Sequence, residues 1–117
     1  SFEVTTGGIQ PIIFSMELLN EDINSSGVKN SQDYVAKLNA SIEKVEDASE
    51  YIENNNNNLA YNMLNTTINQ LNTLINSINA QTGKGIIANI ALDWITRTKN
   101  IINELESIKL SLNASLE

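Results

Sequence analysis

The chain has 117 residues, with 14 acidic and 7 basic side chains for a net charge of −7, and neither cysteine nor histidine. Those absences exclude disulfides, thiolate chemistry, Cys/His metal sites and imidazole acid–base catalysis. The length is that of one domain, and the acidic balance argues against nucleic-acid binding, which rests on Lys and Arg neutralising phosphates.

In chain order, residues 1–10 read as an irregular N-terminal tail. Thr5-Thr6-Gly7-Gly8 has no helical period, and Phe2-Glu3-Val4-Thr5 is the one β-like stretch. Pro11 suits a first helical position, where its missing N–H is not needed. Ile12, Ile13, Phe14, Met16, Leu18, Leu19 and Ile23, with Glu17, Glu21 and Asp22 on the other side, predict a helix over 11–24, ended by Ser25-Ser26-Gly27. Ser31 is the expected N-cap of the next helix, with Asp33 in its first turn. Val35, Leu38, Ile42, Val45 and Ile52 then predict a helix over 31–53.

Asn54 to Asn58 form a run of asparagines. Asparagine is a poor helix former that tolerates left-handed backbone, so a turn is expected, its last residues opening the next helix. Tyr61, Leu64, Ile68, Leu71, Ile75 and Ile78 form a heptad seam and predict a helix over 57–80. Gln81-Thr82-Gly83-Lys84-Gly85 breaks it, Gly83 taking the left-handed position after a helix end. Ile87, Ile90, Ala91, Trp94, Thr98, Ile101, Leu105, Ile108 and Leu112 share a stripe and predict a helix over 85–115.

The fold expected is therefore all-α: an antiparallel up-down-up-down four-helix bundle over residues 11–117, preceded by the tail. The last helix, at about 46 Å, outruns the first, at about 21 Å. Its surplus apolar face calls for cover by the N-terminal tail or by a second copy. No run of about 18 apolar residues offers a membrane span, and no signal peptide is visible. The start at Ser1-Phe2-Glu3, without an initiator methionine, suggests a trimmed chain or a processed mature form. The 19 asparagines and few lysines favour an extracytoplasmic or surface location over the cytoplasm.

Three sets of residues are candidates for function. Glu43, Glu46, Asp47 and Glu50, continued by Glu53, share a face of the second helix and could meet a basic partner or bridge a hard cation. The plainer reading is a solvated face, and without histidine the Glu-x-x-His chemistry of di-iron bundles is absent. Asn62, Asn65, Asn69, Asn72 and Asn76, continued by Asn79, line a face of the third helix where each costs several tenths of a kcal/mol relative to Ala. They form either an uncharged hydrogen-bonding surface or a record of biased composition. Phe14, Tyr61 and Trp94 are the aromatic residues expected in the wall of any pocket, although a lone Trp on a core stripe more often packs. Gly83-Lys84-Gly85 lacks the earlier glycine and the following Ser or Thr of a phosphate loop.

No residue has the activating neighbours of a nucleophile or general base, so no catalytic residue, metal ligand or cofactor is expected. The expected function is a non-enzymatic helical interaction module, an extracytoplasmic domain of a surface protein, lipoprotein or sensor, with a protein partner or self-association. The alternatives are a carrier of a small apolar ligand inside the bundle and an acidic cytosolic immunity- or inhibitor-type protein that covers a basic partner.

Overall fold

A computed structural model of the chain describes residues 8–116, with side chains described through Asn113. Residues 1–7 of the expected tail, including the β-like stretch, lie outside the described residues. Four helices follow in order: α1 (Gln10–Asn24), α2 (Ser31–Glu53), α3 (Asn57–Ala80) and α4 (Ala88–Leu116). Among the described residues there is no strand, only an isolated bridge between Thr82 and Ile86.

Each helix packs on its neighbours in sequence, and α1 closes the ring by packing on α4. The pairs run antiparallel, as their cross-links show. Lys37 donates to Ser77 and Ser41 to Gln70, so numbers rise along α2 as they fall along α3. On the other side, Asp22 meets Arg97, while Gly8 lies so close to Ile108 that an added Cβ would stand 3.3 Å from its Cδ1. The result is an elongated four-helix bundle, 47 × 18 × 18 Å.

The core follows the apolar periods. Met16, Leu19 and Ile23 of α1, Leu38 and Val45 of α2, Leu64, Leu71 and Ile78 of α3, and Trp94, Ile101, Leu105 and Leu112 of α4 are all buried in one cluster. Of the buried polar residues, Thr67 and Thr98 are 0% exposed and donate their hydroxyls to the carbonyls of Met63 and Trp94, at 2.9 and 2.7 Å. A hydroxyl bonded to its own helix one turn back leaves no buried donor unsatisfied.

Several expectations change at the helix ends. Ile9, expected in the tail, is 0% exposed in the core, and its carbonyl accepts the first bond of α1 from Ile13 at 3.0 Å. Ser31, expected as the N-cap of α2, is instead its first helical residue and is buried. The residue before it, Asn30, is left-handed at φ 67° and makes no side-chain cap. Asn30 and Gly27, at φ 74°, turn the chain there. Asn55, at φ 60°, provides the left-handed residue of the asparagine turn, and Asn57 opens α3 as expected.

The largest shift is at α4, which starts at Ala88 rather than residue 85. Residues 81–86 close into a tight loop: Gly83 donates to the Ile86 carbonyl at 2.7 Å, and Lys84 and Ile86 donate to that of Gln81 at 2.9 and 3.0 Å. Those bonds satisfy the loop backbone without helix. They also turn Ile86 inward, 1% exposed, and leave Ile87, expected on the stripe, 69% exposed.

Candidate functional site

The outer surface is best built from the two contacts that orient it. Asn20 of α1 donates to Asn39 of α2. Residues 39, 43, 46, 50 and 53 recur at four- and three-residue steps, so they form one line along α2. Glu43, Glu46 and Glu50 therefore run beside α1, with Asp47 just behind them and Glu53 continuing the line past the start of α1. Glu17 and Glu21 of α1 flank Asn20 and line the same α1–α2 groove with Val35, Asn39 and Ile42. All of these carboxylates are exposed. None lies within 4.0 Å of a cation among the described residues, where the ion pairs are Arg97 with Asp22 and Asp93, and Lys109 with Glu106. The acids are strung along the helices rather than gathered, and among the described residues no group of three or more could hold a metal ion.

The asparagine face is oriented by Lys109 of α4, whose ammonium donates to Asn65 at 3.1 Å. Asn65, Asn69, Asn72, Asn76 and Asn79 follow at four- and three-residue steps, so this line runs beside α4. Asn62 is exposed next to it. The facing line on α4 is Lys109, Glu106, Ile102, Lys99, Ile95 and Leu92, all exposed or half-buried.

The acidic and asparagine faces, carried by successive helices, therefore look away from one another. The α2–α3 groove of Lys37, Ala40, Gln70 and Thr73 separates them. Charge divides the same way. α1 holds three acids and no base, and α2 six acids and two lysines, a net of −7 for the pair. α3 holds no charge at all, and α4 three acids against three bases, a net of zero.

Phe14, Tyr61 and Trp94 do not form a common pocket. Phe14 points outward, 61% exposed, and Trp94 is buried in the core. Tyr61 lies under Lys109, whose ammonium sits 5.5 Å from the ring centroid, and Lys109 is about 22 Å along α4 from Trp94. The grooves between α1 and α4, α1 and α2, and α2 and α3 are lined by none of the three. Asp93, set in an apolar run of α4, is exposed and pairs with Arg97 at 3.3 Å, which also reaches Asp22 of α1 at 2.6 Å.

Sequence reasoning missed one feature of this surface. Phe14 and Leu18, 61% and 40% exposed, stand one turn apart on the outside of α1. The signal was present: 9, 12, 16, 19 and 23, with Ile13 beside them, form a complete buried stripe without 14 and 18. Glu17 and Glu21 follow Phe14 and Leu18 at three-residue steps, so carboxylates border the apolar pair. Comparisons with protein-family models, with curated proteins and with solved structures find no match to this chain.

Proposed function

We propose that the chain is a non-enzymatic interaction module that takes a basic amphipathic helix onto the outer ridge of α1 and the acidic line of α2 beside it. The observation that carries this reading is the exposed pair Phe14 and Leu18 on the outer ridge of α1, bordered on the α2 side by Glu17 and Glu21, which no cation within the described residues neutralises, and on the α4 side by Arg97, which lines a groove with Leu18. An apolar stripe on the partner covers Phe14 and Leu18, as in other helix-in-groove recognition. Lys and Arg beside that stripe meet Glu17 and Glu21, and the acidic line of α2 widens the attractive field. Exposed ion pairs add little affinity each, so the apolar pair holds the complex while the charges select and steer the partner.

The test is fluorescence anisotropy with a labelled Leu-rich helical peptide flanked by Lys and Arg, at low and high salt. Binding is expected, weakening with salt. Phe14→Ser with Leu18→Ser is expected to weaken it about tenfold or more, in keeping with the loss of two anchors. Glu17→Lys with Glu21→Lys is expected to slow association and flatten the salt dependence. Binding unchanged by Phe14→Ser with Leu18→Ser would reduce the contact to unspecific attraction between opposite charges and contradict the reading.

A further inference from the structure

The α3–α4 face has the opposite character. From Asn54 to Gly83 the sequence carries no charged side chain. The α4 line beside it is close to neutral and brings apolar surface: Ile95 and Ile102 are half-buried, and Leu92 is 64% exposed. We infer that this face is the contact surface for a second copy of the chain, joined about a two-fold axis so that the acidic α1–α2 faces of both copies point outward.

Three observations select a second copy as the occupant. The first is electrostatic. Two chains of −7 repel through their α1–α2 halves, whereas the half with no net charge can meet itself without that cost.

The second is chemical. In a two-fold interface the same patch must complement itself. A carboxylate row cannot, because it only accepts hydrogen bonds. An asparagine row can, because each amide both donates and accepts. The chain already joins helices this way: Asn20 to Asn39, and Gln32 to Asn24 at 2.9 Å, both between α1 and α2. Asn69, Asn72, Asn76 and Asn79 are exposed and make no such bond among the described residues.

The third is size. The face runs about 36 Å along α3 and is 18 Å wide. Full use of it offers up to roughly 650 Å² per copy, or roughly 1,300 Å² for the pair, enough to reach the range of stable interfaces. Ile95, Ile102 and Leu92 give it an apolar strip beside the asparagine row. Lys99 on the same line has a four-carbon stem long enough to carry its ammonium to the rim.

Sedimentation velocity over a range of concentrations tests this. The expected result is a mass of twice 12.9 kDa that falls on dilution. Asn69→Glu with Asn76→Glu, both on exposed positions, is expected to weaken the dimer at least about tenfold by setting like charges against each other, with the helical circular-dichroism signal unchanged. Asn69→Lys with Asn76→Lys is expected to do the same alone, and the Glu and Lys variants mixed are expected to recover the dimer. That recovery separates an interface effect from a folding defect. Ala36→Glu, on the exposed outside of α2, is expected to leave the dimer intact. A mass of 12.9 kDa at every concentration, or a dimer indifferent to both charged variants, would overturn the inference and give the face to another occupant.

Discussion

Thr98 is fully buried beside Trp94, and its hydroxyl donates to the carbonyl that its own backbone N–H already reaches. Taking the hydroxyl away therefore strands no partner. Thr98→Val, which keeps the shape, is expected to leave stability within about 1 kcal/mol of the parent or above it. Thr98→Ser keeps the hydroxyl but opens a methyl-sized gap, and is expected to cost about 1 kcal/mol. Urea denaturation of the two variants checks the order. Tyr34 titrates unusually: burial first, and the carboxylate of Asp33 second, push its hydroxyl above the ordinary tyrosine range. The folded state thus holds this proton to higher pH than the unfolded chain. Its contribution is complete below the unfolded value near 10 and is lost as pH rises through the higher folded value. Tyr34→Phe is expected to remove that component of alkaline unfolding, which a thermal-melting series at alkaline pH reads directly.

At the scale of the elements, the helices were legible because their apolar periods are long and regular. Leu64, Ile68, Leu71 and Ile78 are buried as the α3 seam requires, and the bounds of α2 and α3 match the expected ones. The start of α4 was not legible, for a physical reason. Ile86 and Ile87 are both apolar, and the spacing of 87, 90 and 94 continues a helix plausibly. What separates them is the bonding of Gly83, Lys84 and Ile86 within the loop, and no local periodicity encodes that. The prediction is correspondingly sharp. Ile86→Ala is expected to cost about 2–4 kcal/mol as a buried truncation, while Ile87→Ala is expected to change stability by less than about 0.5 kcal/mol. Phe14 and Leu18 were placed on the apolar side of the first helix, and Phe14 in a pocket wall, for a related reason. They stand among five other apolar residues in α1, and only the stripe that packs on α2 and α4 decides which ones face inward.

For the whole molecule, composition located the acids and the asparagines but not the directions they face. Those directions depend on contacts between residues far apart in sequence: Asn20 with Asn39, and Lys109 with Asn65. With them in place, successive helices carry surfaces of opposite kind to opposite sides of a bundle 18 Å across. A dimer through the neutral side would present two acidic sides to solvent, so that a partner with two basic helices could bind both with an avidity that neither side has alone. The claim underneath is that the acidic side, with Phe14 and Leu18 as its apolar edge on the ridge of α1, is where a partner docks. Backbone amide NMR shifts, followed as the Leu-rich basic helical peptide is added, test this most directly. The account predicts shifts concentrated on the outward residues of α1, Phe14 to Glu21 above all, and extending along Glu43, Glu46 and Glu50, with the α3 asparagine line undisturbed. Shifts centred on Asn65 to Asn79, or spread evenly over all four helices, would contradict it.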